Sequence, residues 1–243
     1  MQPQRRLSIK GTYNMRDLGG YAIAGGETRW GRLLRADALH RIDAEGMQAM
    51  VACGIVTVID LRNGDELIHQ PNPFTGHPSV TYHNVALLDG LAPALMREGD
   101  VLLDLYRLAL THRQPAIAQV LQIIADAPRG AVLFHCTAGK DRTGIIAALL
   151  LSLADVDPRL IVEDYALSEG DLAPIMAEIT AGAVARGADP VSFQRLLASA
   201  PATMTATLAF IGTEFGSVPA YIRHIGLDDA TMARLRNRLL GEF

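Results

Sequence analysis

The stretch "VLFHCTAGKDRTG", residues 132–144, decides how the rest of the chain is read. An apolar run ends in His135 and Cys136, five residues separate Cys136 from Arg142, and the oily segment "IIAALLLSLA" follows. The spacing predicts a buried parallel strand over 130–135, a tight loop, and a buried helix beyond it. A helix start presents unpaired N–H groups and the positive end of the helix dipole. The amides of Thr137, Ala138, Gly139, Lys140, Asp141 and Arg142 are therefore expected to converge into an anion nest. Gly139 lets the backbone turn without a Cβ clash. Cys136 lies at the base, where amides, dipole and Arg142 favour its thiolate. Arg142 offers a planar fork for two oxygens of a tetrahedral phosphate. Thr143 is expected to donate a hydroxyl hydrogen bond to the sulfur, and His135 to shape the loop and tune the thiol.

This combination predicts a phosphate cradle with a nucleophile beneath it. The implied reaction is in-line thiolate attack on a phosphomonoester, giving a phosphocysteine that water then hydrolyses. Positive charge around the equatorial oxygens stabilises the transition state. The chemistry calls for no metal and no cofactor. His69, His77 and His83 are irregularly spaced and lack a metal-binding pattern.

Outward from the loop, "IVTVID" (55–60) predicts a second buried strand ending in Asp60, and "VTYHNVAL" another. Residues 14–37 read as short strands around a Gly-Gly turn. "DAEGMQAMVACG" (43–54) reads as a helix capped by Asp43 and stopped by Gly54. "LRNGDELIHQPNPFTGHPS" reads as loop, with Pro71, Pro73 and Pro78. Helices are expected at about 101–112 and 115–127. From 158 on the chain reads helical, with breaks at Gly170, Gly187, Pro201, Gly216 and Gly226. The sum is one α/β domain over 1–243, a central mostly parallel sheet flanked by helices with a largely helical C-terminal half. Parallel strands place their carboxyl ends on one rim, so Asp60 and Cys136 are expected to share it. Segments 86–112 and 171–200 are lid candidates; Leu87, Leu88, Leu91, Leu95 and Met96 fit a lid or ordinary core equally.

The bulk composition fits a soluble globular domain, with 49% hydrophobic and 20% charged residues. A net charge of −4 argues against a dedicated nucleic-acid binder. Two cysteines, Cys53 and Cys136, are too few for a disulfide framework. Cys53 is expected to be helical core packing. The N-terminal residues include no apolar signal-peptide core, and no apolar run reaches the roughly 18 residues of a membrane span. A cytoplasmic location is the default expectation, with export by a route lacking a Sec signal left open; nothing in the sequence fixes the oligomeric state.

"HCTAGKDRTG" matches the H-C-x5-R-[ST] signature of cysteine-based protein tyrosine phosphatases. With its Gly-Lys-Asp-Arg-Thr-Gly ending, it resembles the bacterial tyrosine phosphatase family that includes secreted mycobacterial and listerial enzymes. "NMRDLGG" (14–20), "LLRADAL" (33–39), "VIDLRNGDE" (58–66), "EDYALSEGD" (163–171) and "GSVPAYIRHIGLDDATMARLRNRLL" (216–240) resemble that family's other blocks, so the resemblance spans nearly the whole chain. It implies a protein-tyrosine-phosphatase-like fold and action on phosphotyrosine, in some members also on phosphoserine or phosphothreonine, and in some on phosphoinositides, with inorganic phosphate as product.

The leaving oxygen needs a general acid. Many tyrosine phosphatases place that aspartate on a mobile loop beside tryptophan and proline, but Trp30, the only tryptophan, has no aspartate beside it. The resemblance implies that Asp141 itself is the acid. Its structural alternative is an ion pair with Arg16 or Arg62, and Asp60, Asp89 and Asp104 are rival acids. Lys140 is either a solvated loop charge or a second cation at the pocket mouth, which would suit a phosphoinositide. Arg16 and Asp17 either order the N-terminal turn or support the site. A catalytically silent phosphate-binding module is the non-enzyme alternative, and rhodanese-like sulfur transfer fits the Arg-Thr-Gly ending less well.

Overall fold

The computed structural model of the protein describes residues 4–89, 101–185, 187, 189 and 199–241. Strands β1 (Arg16–Asp17), β2 (Ala22–Ile23), β3 (Gly26–Glu27), β4 (Leu33–Ala36), β5 (Ile55–Asp60), β6 (Thr81–Asn84) and β7 (Ala131–His135) form two sheets. The main sheet has the order β1-β4-β7-β5-β6. Its β4, β7, β5 and β6 run parallel, and β1 joins the edge antiparallel. The β2–β3 hairpin is a separate antiparallel pair around an Ala24-Gly25 turn, with Gly25 at φ +88°.

The central strands are apolar on both faces because both faces are covered. Val132 and Phe134 point into one buried cluster, Ala131 and Leu133 into another; Ile59 and Val58 divide in the same way. This is the period-two alternation of a strand sandwiched between two helical layers.

Helix α1 (Ala44–Ala52) starts on Asp43, whose side chain accepts from the Gly46 amide at 2.9 Å, and it ends before Gly54 at φ +81°. Cys53 caps α1 and is exposed, so the expectation of core packing is wrong there. The segment expected to be loop after β5 contains a short helix, α2 (Gly64–His69). Its start is a capping box: Asn63 accepts from the Glu66 amide at 2.9 Å, and Glu66 accepts from the Asn63 amide at 3.0 Å.

Helices α3 (Val101–His112) and α4 (Gln114–Asp126) follow as expected. Leu102, Leu105, Tyr106, Ala109 and Leu110 of α3 belong to the main core, together with Leu87. Of the apolar residues in the first lid candidate, Leu87 is thus core and Leu88 packs against it, while Leu91, Leu95 and Met96 lie outside the described residues.

Helix α5 (Asp141–Leu153) leaves the loop after β7 and is buried nearly all round. Helix α6 (Pro158–Leu172) runs through Gly170, which the sequence marked as a break. Among the described residues, helices α7 (Met176–Ala185), α8 (Pro201–Phe215), α9 (Val218–His224) and α10 (Asp229–Leu240) follow. The second lid candidate thus begins in α6 and α7, and residues 186, 188 and 190–198 lie outside the described ones. Pro201 opens α8 at its first position, and Gly216 ends it at φ +80°. No described helix is long and apolar enough to cross a membrane.

Candidate active site

Strand register brings the two expected rim residues together, since Asp60 and His135 are direct partners across β5 and β7. Cys136 follows His135 and is buried, 2% exposed. From there the chain makes a loop whose carbonyls are tied from outside. His135 Nδ1 donates to the Cys136 carbonyl at 3.1 Å. The Ala38 amide reaches the Thr137 carbonyl at 3.0 Å, Asn14 Nδ2 the Ala138 carbonyl at 2.8 Å, and Arg35 Nη2 the Gly139 carbonyl at 2.7 Å. A trans peptide points its N–H opposite to its C=O. Four successive carbonyls held outward therefore turn the amides of residues 137–140 toward the loop's interior, where α5 adds its own N-terminal amides.

Gly139 is required at its position. Its φ is +67°, and a Cβ there would lie 2.4 Å from the Ala36 carbonyl oxygen. The loop is thus pressed against the end of β4.

The outward ties rest on a buried network that the sequence showed only in pieces. Asp37 Oδ1 accepts from the Tyr13 and Asn14 amides at 3.0 Å, which fixes the segment that presents Asn14. Arg35 pairs with Asp164 Oδ2 at 2.5 Å, and Arg16 Nε with Asp164 Oδ1 at 2.8 Å. Arg16 also donates to Asn14 Oδ1. Burial disfavours the ionised Asp164 carboxyl, but Arg16 and Arg35 outweigh that and hold it well below the usual carboxylate range. Arg16 thus supports the loop from behind, through Asn14. Asp17 does not reach the site: it accepts from the Gly19 and Gly31 amides at 2.8 and 2.7 Å and orders the N-terminal turn.

Arg142 is 14% exposed in its side chain. Its Nη1 and Nη2 donate to Glu66 Oε2 and Oε1 at 2.6 and 2.8 Å, and Nη2 also to Thr137 Oγ1 at 3.0 Å. Thr137 Oγ1 in turn donates to Glu66 Oε1. No described contact uses Nε. Burial opposes the charge on Arg142, but hydrogen bonds to Glu66 and the negative charges of Cys136 and Glu66 hold it more firmly cationic than usual. Burial likewise works against an ionised Glu66, and Arg142 and Thr137 overcome it, lowering Glu66 to about 2. Glu66 is one of the site residues that the sequence did not announce, with Asn14, Arg35 and Tyr106. Its signal was the Asn63-x-x-Glu66 pattern of a helix start, and the same side chain serves both the cap and the arginine.

Asp141 is the first residue of α5. Its Oδ1 accepts from Tyr106 Oη at 2.6 Å and lies 3.2 Å from Lys140 Nζ. The proposed structural alternative, a pair with Arg16 or Arg62, is not formed. Arg16 is committed to Asp164, and Arg62 Nη2 to Asp60 Oδ2 at 2.6 Å. Lys140 is fully buried, so the solvated-charge alternative is overturned. The hydroxyl of Thr143 is buried with no hydrogen-bond partner, so the expected bond to the Cys136 sulfur is absent.

The rival acids are placed elsewhere. Asp89 is exposed, and Asp104 pairs with Arg107 at 3.5 Å on the outer face of α3. Asp60 is sealed in: Arg62, Asn72 Nδ2 at 2.9 Å and His135 Nε2 at 3.3 Å surround its carboxylate. Burial would raise it, but His135 and Arg62 keep it well below the ordinary range. Asp60 therefore supports the site through His135.

A cleft of about 750 Å³ opens beside the loop, lined among others by His40, Arg41, Glu66, His69, Thr137 and Glu178. Burial, then Arg41 and Arg62, lower His40 to about 4, so it is neutral near pH 7. A larger cleft of about 960 Å³, between the β2–β3 hairpin and the turn from α5 to α6, touches none of the site residues.

Comparison with known proteins shows which family the chain is similar to. The family model described as "Tyrosine phosphatase family" matches residues 7–241. A tyrosine-protein phosphatase of Nostoc commune is 34% identical over 85% of this chain and 73% of its own length. The triple specificity protein phosphatase PtpB of Mycobacterium tuberculosis is 28% identical over 96% of this chain and 98% of its own.

Proposed function

This chain belongs to the tyrosine phosphatase family and is a protein phosphatase that releases inorganic phosphate; we propose that it acts through a phosphocysteine on Cys136, on phosphotyrosine and on phosphoserine or phosphothreonine. The observation that carries the mechanism is the loop held from outside by four successive carbonyls, with Cys136 at its base and Arg142 fixed by Glu66. The interior amides and the Arg142 Nε edge are the donors available to three phosphate oxygens. The fourth, ester oxygen then lies opposite the sulfur, as in-line displacement requires. The S–P bond forms as the P–O bond breaks, and Asp141 gives its proton to the leaving oxygen. Asp141 then takes a proton from the water that attacks phosphorus and releases Cys136. Glu66 keeps Arg142 from rotating away between turnovers.

The broad cleft beside the loop supports a peptide substrate, since it offers room for residues flanking the phosphorylated side chain. Lys140 gives no separate argument for a phosphoinositide, because it is buried beside Asp141. Hydrolysis of phosphotyrosine, phosphoserine and phosphothreonine peptides, with phosphoinositides at matched concentration, tests the reading. Peptide turnover is expected to fall roughly 10⁴-fold or more in Cys136→Ser. Retained turnover in that variant would remove Cys136 from the mechanism, and a lipid preference would replace the peptide reading.

A further inference from the structure

We propose that Tyr106 is a positioning residue for the acid step: it holds Asp141 by Oδ1, so that Oδ2 carries the proton delivered to the leaving group. The inference rests on the reading of Asp141 as the acid. Both described partners of the Asp141 carboxyl, Tyr106 Oη at 2.6 Å and Lys140 Nζ at 3.2 Å, meet the same oxygen. An oxygen that accepts from a phenol and faces an ammonium at 3.2 Å is the less favourable of the two for a proton of its own. In the neutral acid the proton therefore sits on Oδ2.

The phenol is suited to remain a donor. Tyr106 is fully buried, and burial together with the neighbouring Asp141 and Tyr165 pushes its ionisation well above the ordinary phenol range. Its hydroxyl lies 2.8 Å from that of Tyr165 on α6. With the Tyr106 proton directed to Asp141, Tyr165 is the donor of that second bond. The order Tyr165 to Tyr106 to Asp141 gives the chain one direction. The two rings meet edge to face, 6.3 Å between centroids at 88°. Close approach of α6 is secured at Gly144, where a Cβ would come within 3.1 Å of the Tyr165 ring.

An aspartate at the first position of a helix has few steric constraints on its own rotation, so something must aim it. Helix α3, packed in the core, supplies that through one hydroxyl. The contribution is also differential. As the P–O bond breaks, the Oδ2 proton moves to the ester oxygen and Asp141 becomes a carboxylate. Tyr106 and Lys140 are already in place to take up the new charge at Oδ1. The bond to Tyr106 strengthens as the acid is spent, which is the condition for raising kcat rather than lowering KM.

The test compares a poor leaving group, phenyl phosphate, with a good one, p-nitrophenyl phosphate, in Tyr106→Phe, Tyr165→Phe and Asp141→Asn. Tyr106→Phe is expected to lower kcat about tenfold on phenyl phosphate and less than about twofold on the nitrophenyl ester, at unchanged KM. Tyr165→Phe, which frees the Tyr106 hydroxyl to turn away, is expected to show the same asymmetry at about threefold. Equal losses on both esters in either tyrosine variant, with Asp141→Asn still selective for the poor leaving group, would overturn the positioning role and leave the acid in place. Equal losses in Asp141→Asn would overturn the acid reading, and the role of Tyr106 with it.

Discussion

Two arginines near the carboxyl end of β5 each grip a carboxylate with two nitrogens. Arg62 donates from Nε and Nη2 to Asp60 at 2.9 and 2.6 Å, and its Nη1 donates to the Gln70 carbonyl at 2.9 Å. Both side chains are fully buried. Arg142 holds Glu66 through Nη1 and Nη2, is partly exposed, and has no described contact at Nε. The same fork thus serves two ends. Where every nitrogen is committed and no water reaches the pair, the arginine fixes a wall: Asp60, and through it His135. Where one nitrogen has no described contact, the arginine keeps a donor for an anion, as the proposed mechanism requires. The residue type does not separate the two roles; the commitment of the donors does.

Breaking each pair in the same way separates them most sharply. Arg142→Met keeps the stem and removes the fork. Peptide turnover is expected to fall on the order of 10²–10³-fold, with the melting temperature little changed. Arg62→Met leaves a buried carboxylate uncompensated, and stability is expected to fall by about 3–5 kcal/mol in denaturant titration. Activity per folded molecule should stay within about tenfold of wild type, because no reacting group is touched. If both variants lost mainly activity, or both mainly stability, the two arginines would not differ as described.

A smaller effect comes from the carboxylates. Asp60 is depressed in the folded state, so its stabilisation is fully present above its unfolded value and is lost as pH falls through the lower folded one. Asp60→Asn should therefore be less stable than wild type at pH 7, and the gap in urea midpoint should narrow steadily from about pH 4 downward. A gap that stays constant with pH would mean that the charge on Asp60 does not carry the stabilisation.

The sequence disclosed these features unequally, and the reason is distance along the chain. Cys136, Gly139 and Arg142 lie within seven residues where a strand turns into a helix, so their spacing alone predicted that they would sit together. Glu66, Tyr106, Asn14 and Arg35 reach the same loop from elements 35 to 124 residues away. No local pattern announces such contacts. Glu66 shows the difficulty most plainly, because its capping pattern was visible but lay in a short, charged, proline-bounded segment that reads as loop. Lys140 was misplaced for a different reason: lysine is rarely buried, and here it lies beside the Asp141 carboxylate, a contact that no local pattern announces. Gly170 failed as a helix break because α6 is held by its packing against α5 and α8, which outweighs the propensity of one residue.

The central claim is that Cys136 carries the phosphoryl group between substrate and water. Acid quenching during steady-state turnover of an aryl phosphate, followed by peptide mass spectrometry, tests it directly. A phosphoryl adduct is expected on the Cys136 peptide, present in wild type and absent in Cys136→Ser. An adduct on any other residue, or full turnover by Cys136→Ser, would contradict it.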